Sequence, residues 1–597
     1  MASNLSRHRL GLAALLATIA PLAGPRSARA EATPGAQEMP VVIVSGTNFE
    51  IQRTVAPDVF ARSAHIQQTA PGQRSPYLGA FTGNQVNQTI DGMRFSNALF
   101  RTGPNQYFSW IPDAFVSEVS VSDGGNVGGT IDRLLGISPA HLEVTFDTSL
   151  GFTGTASFKD RRIGVALSVI DHGNVETARG TVPHSSYNQR AIMIQAPWAT
   201  GQKTTILRSH SRDLERPDKW NGGLRSNGIQ APSVYTWERQ EYTLLKHEAR
   251  FGRLGLAGGF QRFEEFIRDG TKPIHSDLHS FILNADYAIN SGFSAYVSAN
   301  REEITYDNGV APGVGNPRQV DEDVWSTSRQ GVRWMGKAGS LRWVASAGHK
   351  QVEAGSLATF RNPEATVSVS YHGIFAGYDR STNAPSYFSL KQALTAGRGL
   401  SLPNPDLRAE HADTFRAGYK AGPLHVDVYE KRFRNAIQSQ TVTSNPLVYR
   451  PYNGGSIEVR GASFSYATPS LLGSKFGLDT RAEYNFGRNR LPDGKVQPTD
   501  KTAPIVGYLR LRRAGLWSEF LFQPKVTRLS SSDLNDVRVF GHNGGYRIVN
   551  IGYTLRPFQG WTTTLALNNL FNNDGRVLGS SVDVPKRGLS VAVRRDF

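Results

Sequence analysis

The sequence predicts an all-β membrane protein built on one large antiparallel transmembrane barrel. Two observations carry this. Among its 597 residues the body of the chain holds no apolar run of the ~18 residues that a membrane-crossing helix requires. From residue 141 onward it runs instead as segments of about ten residues in which apolar and polar side chains alternate between turn residues. That is the pattern of a wall with lipid on one face and a polar lumen on the other. Hydrophobic residues make up only 39%, an average that such alternation produces and that a soluble protein shares.

Taken in order, residues 1–30 read as a secretory signal. Arg7, His8 and Arg9 precede an apolar run over 10–22, and Ser27-Ala28-Arg29-Ala30 ends in a small-x-small site, so cleavage is expected after Ala30. A buried N-terminal helix, the alternative, gives no reason for that charge order. The absence of cysteine excludes disulfides, thiolate metal sites and a cysteine-linked lipid anchor. An exported chain without disulfides can be held together by the closed hydrogen-bonded ladder of a barrel. The formal charge is +16, or +12 once Arg7, Arg9, Arg26 and Arg29 leave with the signal. Such a balance suits nucleic acid, anionic lipid or an anionic ligand. Export argues against nucleic acid, and the arginines are spread along strands rather than clustered in one tract.

Residues 31–54 form a Pro/Gly/Ala linker containing one extended apolar run, Met39-Pro40-Val41-Val42-Ile43-Val44. A segment of this kind can add itself to the edge of another protein's sheet through backbone hydrogen bonds. It can equally be the first strand of the domain that follows.

The next stretch, 83–119, reads GNQVNQTIDGMRFSNALFRTGPNQYFSWIPDAFVSEV. A short alternating run from Val86 to Ile90 turns at Asp91-Gly92, a dipeptide that favours turn geometry. A polar loop rich in aromatics and arginine follows, then a second alternating run from Phe115 to Val121. The ordered set Gly-x-x-Val-x-x-x-Ile-Asp-Gly-x-Arg, Phe-Arg-x-Gly-Pro-Asn-Gln-Tyr and Ile-x-x-x-x-x-x-Glu-Val-x-Val resembles the plug domain of TonB-dependent outer-membrane receptors. The resemblance implies an α+β plug over 55–140, shorter than is usual, lodged in the lumen of a barrel over 141–597. It also implies that Met39 to Val44 is a TonB box. Asp123-Gly124-Gly125-Asn126-Val127-Gly128-Gly129-Thr130-Ile131 compresses a longer family segment, keeping its Gly-Gly-Thr-Ile end and lacking a Tyr-Gly loop.

The alternating segments from 141 onward number about twenty, and at ~20 residues per strand and connection residues 141–597 hold about 22 strands, the class with a plugged lumen. No blade repeat supports a propeller. Within the wall, Leu402-Pro403-Asn404-Pro405-Asp406-Leu407-Arg408-Ala409-Glu410 and Thr414-Phe415-Arg416-Ala417-Gly418-Tyr419 resemble a family motif, with Ala409 in place of Pro and Arg416 in place of Glu. Tyr452-Asn453-Gly454-Gly455, Leu567-Asn568-Asn569-Leu570-Phe571 and the terminal Phe597 on an alternating strand resemble further family elements.

No enzymatic constellation stands out: there is no Gly-x-Ser-x-Gly elbow, phosphate loop or His-Glu-x-x-His helix, and no cofactor is expected. His411 and His372 are lone candidates for a haem ligand, a solvent-exposed histidine being the commoner case. The candidate ligand contacts are Arg94, Phe95, Asn97, Phe100, Arg101, Asn105, Gln106, Tyr107 and Trp110. Arginines pair with anionic oxygens of a metal chelate, and aromatic faces stack on its planar groups. The competing reading is structural, with the aromatics packing the plug and the arginines bridging to the wall. Polar connections over 309–323 and 382–403 read as extracellular loops.

By resemblance, the expected function is active uptake of a scarce ligand, a ferric siderophore first, by a monomer in the outer membrane of a Gram-negative bacterium, with TonB and outer-membrane lipid as partners. Haem, cobalamin or a carbohydrate is the alternative cargo. A passive porin-like barrel with a degenerate plug, and an exported β-rich enzyme or lectin, are the alternatives in kind.

Overall fold

The computed structural model describes residues 42–45, 65–70, 72–78, 81–95, 108–216, 236–269, 272–307, 320–391, 394–396, 399–444, 447–500, 502–531, 533, 544–580 and 582–597. Alternation along the wall segments translates directly into architecture. In Lys272–Ala288, Phe281, Leu283 and Tyr287 point outward at 47, 55 and 48% exposure, while Ser280 and Ile282, on the opposite face, are buried. Twenty-two such strands close into one barrel with antiparallel neighbours, and Val496–Pro498 adds a short flap on Gly477–Arg490. Closure is made by the last strand, Gly588–Asp596, against the first, His141–Asp147, in a register that sets Asp596 opposite His141. Each wall strand therefore has two hydrogen-bonded neighbours and no edge is left in lipid. Among the described residues no helix is long and apolar enough to cross a membrane.

The two ends differ. One carries tight turns such as Gly252-Arg253, Gly339-Ser340, Gly422-Pro423 and Ala514-Gly515. The other carries the long connections, including both stretches expected as extracellular loops. The first of these is shorter than expected, because 320–323 belong to the strand Val320–Ala338. The second begins after Ile374–Asn383 and contains a short helix, α1 (Tyr387–Leu390). Strands between residues 236 and 338 run to 15–19 residues, beyond the ~9–11 that cross a bilayer. Their outer faces toward the long-loop end carry charged ladders, such as Arg262 to Asp277 at 2.8 Å and Arg239 to Glu264 at 3.5 Å, so these strands project past the apolar band.

The lumen is filled by the N-terminal residues. Strand β1 (Val42–Ser45) is followed by β2 (His65–Ala70), β3 (Gln73–Leu78) and β4 (Phe81–Thr82), which form a three-stranded sheet. Then come β5 (Asn87–Ile90), β6 (Met93–Arg94), β7 (Val116–Ser122) and β8 (Thr130–Leu135). They join β1 in a five-stranded sheet of order β1-β7-β8-β5-β6, in which β5 and β8 run parallel. The expected turn is present: Asp91 and Gly92 have φ of 51° and 71°, the doubly left-handed geometry of a tight hairpin between β5 and β6. The plug's helical component is confined, among the described residues, to three 3-10 turns, Gly83–Gln85, Phe108–Trp110 and Asp113–Phe115. Val86, Ile90, Val119 and Ile131 are buried in one core with the lumen-facing Leu207, Leu244 and Leu278 of the wall.

Candidate functional site

The β5–β6 hairpin is held by hydrogen bonds to the plug on one side and to the wall on the other. Asp91 accepts a hydrogen bond from the Leu135 N–H at 2.7 Å, and Lys246 of the wall donates to the Asp91 carbonyl at 3.1 Å. Burial raises the Asp91 pKa, and the Lys246 and Lys203 charges oppose that rise. On β8, Arg133 is 1% exposed, lies 5.3 Å over the Phe95 ring and donates to Gln88. Burial brings its guanidinium down to about 10.

Two of the expected ligand residues, Phe95 and Trp110, are each 1% exposed. Both pack on Phe263 of the wall, with centroids 4.7 and 5.6 Å away, and Phe95 also approaches Tyr242 at 5.9 Å. This is an aromatic joint between plug and wall. Arg94 is placed differently. Its guanidinium donates to the Thr327 hydroxyl at 2.7 Å and borders a polar cavity of about 80 Å³ between plug and wall, which Asn126, Asn300, Arg329 and Lys350 also line. Asn97, Phe100, Arg101, Asn105, Gln106 and Tyr107 lie outside the described residues, as do Met39, Pro40 and Val41 of the linker run. Val42, Ile43 and Val44 fall in β1, at the edge of the plug sheet, paired with Val121, Ser120 and Val119.

A second plug–wall joint is built from residues outside the expected ligand set. Asp123, at the start of the glycine-rich segment, receives Arg416 Nε at 2.5 Å and Nη2 at 2.9 Å, with Lys431 Nζ at 3.2 Å. Burial pushes its carboxyl up, but the Arg416 and Lys431 charges and hydrogen bonds outweigh it and hold the group well below the usual carboxylate range. Lys431 also donates to the Gly128 carbonyl at 2.9 Å, and Arg416 reaches Asp427 at 2.6 Å. Glycine is needed on both sides of this segment: a Cβ on Gly124 would stand 2.8 Å from Asp379 of the wall, and one on Gly128 would stand 2.7 Å from Phe81 and 2.8 Å from the Gln85 carbonyl within the plug. A cavity of about 90 Å³ lies beside the joint, lined by Asp123, Asp379, Arg416, Lys431, Arg481 and Glu483 among others. The signal for this joint was in the sequence. Arg416 occupies a lumen-facing position where the motif has a carboxylate, and a cation placed there calls for acids around it, which Asp427 of the wall and Asp123 of the plug supply.

At the long-loop end, Tyr387 of α1 is fully buried, donates to Asp321 at 2.6 Å and packs on Trp325 at 5.9 Å, while Lys391 bridges Asp321 and Asp323 at 3.0 Å. The two loop bases are thereby tied together. The histidines do not join the site. His411 alternates onto the outer face with Phe415 and Tyr419, and His372 sits in a short turn with its ring 4.4 Å from that of Tyr371. Among the described residues no group of three or more His, Asp or Glu side chains could hold a metal.

A closed barrel of 22 strands with a sheet domain docked in its lumen defines the plugged-barrel class. Residues 82–570 match the family described as TonB dependent receptor-like, beta-barrel, and the chain belongs to that family. No curated protein matches the sequence. Among solved structures, the FrpB iron transporter from Neisseria meningitidis (F3-3 variant) is 13% identical with a TM-score of 0.72, covering 93% of this chain and 99% of its own. The copper transporter OprC is 12% identical with a TM-score of 0.72, covering 94% and 99%. A mutant of the ferric enterobactin receptor PfeA from Pseudomonas aeruginosa, in complex with enterobactin, is 12% identical with a TM-score of 0.69, covering 94% and 100%. At such identities the likeness is one of fold. Family and neighbours are receptors and transporters, not enzymes.

Proposed function

We propose that the chain resides in the outer membrane of a Gram-negative bacterium and imports a scarce ligand with high affinity, a ferric siderophore before haem or another non-siderophore cargo. The long loops then face outward and the tight turns face the periplasm. The observation that carries this reading is the plug itself. It fills the lumen through one aromatic and one ionic joint, each beside a cavity, an arrangement suited to a domain that must shift for cargo to pass. A passive porin has no use for it.

In this reading Arg94 contacts the ligand from the polar cavity, and Asn97, Phe100, Arg101, Asn105, Gln106 and Tyr107 extend that surface. Phe95 and Trp110 serve instead to anchor the plug on Phe263 of the wall. Met39 to Val44 pairs with TonB, the energy source being the complex to which TonB belongs. Among the described residues β1 lies at a sheet edge and pairs on one side, with β7, as a strand that adds to a partner's sheet would; that pairing is also what a plain first plug strand would show. The chain acts as a monomer.

The test is uptake of radiolabelled iron by iron-starved cells expressing the chain, offered ferric siderophores and haem in turn. Saturable uptake of one siderophore supports the proposal. Uptake of haem alone moves the cargo to the second reading, and non-saturable uptake of all of them indicates a passive barrel.

A further inference from the structure

The short-turn end carries a charge pattern that ligand import does not use. Around the rim, from the turn before Gly477 through the closure of the barrel to the turn at Gly252, successive turns and strand ends present cations. Arg513, Arg556, Arg161, Arg162 and Arg253 are exposed and Arg595 is half-buried. Their local partners leave the charge unmatched. Arg253 donates to the Ile289 carbonyl at 2.9 Å and Arg595 to the Gln559 carbonyl. Asp160 accepts from the N–H groups of Arg162 and Ile163 at 2.6 and 2.7 Å and offsets only one of the three cations Lys159, Arg161 and Arg162 of its turn, and Asp596 is paired with Arg594 at 2.8 Å. Among the described residues none of Arg161, Arg162, Arg253, Arg513 and Arg556 has a carboxylate within ion-pair distance.

Height is set by the aromatics. Phe251, Tyr553, Trp561 and Phe597 point outward beside these cations at 56, 45, 39 and 52% exposure, forming the girdle expected where hydrocarbon gives way to head groups. Two of the arginines lie on girdle rings: Arg513 is 4.9 Å over Phe476, and Arg595 is 5.4 Å over Trp561 and 5.8 Å over Phe597. Guanidinium groups held there present forked donors at the level of lipid phosphates.

We infer that this arc binds the head groups of anionic phospholipids in the leaflet facing the short turns. A lipid fits better than a protein partner because the cations are spread over successive turns of the rim beside lipid-facing aromatics, rather than gathering in one patch. The leaflet assignment rests on the proposed orientation, but the site does not depend on the cargo.

The experiment uses the full chain, purified in detergent and loaded with an equimolar mixture of phosphatidylglycerol and phosphatidylcholine, with retained lipids counted by native mass spectrometry. Phosphatidylglycerol should be enriched at least about fivefold, the factor that one cation near a charged lipid surface carries. A variant with Arg161, Arg162, Arg253, Arg513 and Arg556 each replaced by Gln should fall to near-equal retention while still migrating as a heat-modifiable folded barrel. A control with Arg301→Gln, Arg432→Gln and Arg460→Gln, outer-face cations toward the long-loop end, should keep the enrichment. Equal retention of both lipids by the unaltered chain, unchanged enrichment in the rim variant, or equal loss in the control would each overturn the inference. Loss of iron uptake with enrichment intact would count against the transport reading alone.

Discussion

Replacing Asp123 by Asn removes one charge from the centre of the second plug–wall joint and leaves its shape. Asp123 and Arg416 side chains are 18 and 24% exposed and Lys431 is 4% exposed, so the cations left behind cannot simply be hydrated. Breaking a buried pair costs about 3–5 kcal/mol. Here Arg416 keeps Asp427 and Lys431 keeps the Gly128 carbonyl, which places the cost near the lower end, about 3 kcal/mol, or roughly a 100-fold shift in plug docking. The assay is conductance of the reconstituted barrel in rising urea, where the barrel stays closed until the plug leaves or unfolds. With an m-value of ~1–3 kcal/mol/M, the urea concentration at which conductance appears should drop by about 1–3 M. The effect should be smaller in an Arg416→Met background, since the pair is then already broken. A shift below about 0.3 M, or full additivity of the two substitutions, would refute the reasoning. The same joint should withstand acid. The folded Asp123 pKa is lowered, so its contribution is fully present above the unfolded value of about 4 and is lost only as pH falls well below that.

Three further outcomes follow from other contacts. Trp110→Ala should remove about 3–5 kcal/mol from plug docking by opening a cavity against Phe263, lowering the urea threshold by at least about 1 M without changing barrel heat-modifiability. Asp91→Asn should act oppositely to Asp123→Asn. Burial raises the Asp91 pKa, so its ionised form weakens the folded plug above that pKa and the penalty fades as pH falls. The variant, whose amide oxygen can still accept from the Leu135 N–H, should match or exceed the parent's urea threshold at pH 7, with the difference shrinking toward pH 4. Arg94→Gln removes the cation at the polar cavity and should weaken binding of an anionic chelate by about 10- to 100-fold, the range for one charge-assisted hydrogen bond, read by equilibrium binding to the detergent-solubilised chain.

Much of the fold was legible because period-2 alternation sets lipid against a polar lumen. It was legible also at Asp91-Gly92, where only a doubly left-handed turn joins β5 to β6. Three wall strands were harder to read: Val320–Ala338, Ala358–Tyr371 and Ile374–Asn383. The first projects beyond the membrane with charges on both faces, which erases alternation over half its length. The second contains Pro363 within the strand, a residue that ordinarily argues against one. The third ends in Asp379-Arg380-Ser381-Thr382-Asn383, which reads as loop until Asp379 and Ser381 are seen to face the lumen.

The site was legible in composition and less so in geometry. A string of Phe, Trp and Arg names a surface that can bind, yet which members face a ligand and which pack the wall depends on contacts made more than a hundred residues away. Phe95 and Trp110 meet Phe263, whereas Arg94 meets Thr327. The Asp123–Arg416 joint is 293 residues apart in sequence. Only the departure from the motif at Arg416 hinted at it.

Energised uptake through the plug is tested most directly by one comparison. Cells expressing the intact chain or the Ile43→Pro variant are given the radiolabelled ferric siderophore that binds best, with and without a protonophore. Proline removes the Ile43 N–H and so interrupts strand pairing at β1; the urea threshold of the variant separates a loosened plug from a lost partner contact. Surface binding should survive, uptake should disappear in the variant, and the protonophore should abolish uptake in the parent. Uptake that continues at the parental rate in the variant and in protonophore-treated cells would contradict energised uptake.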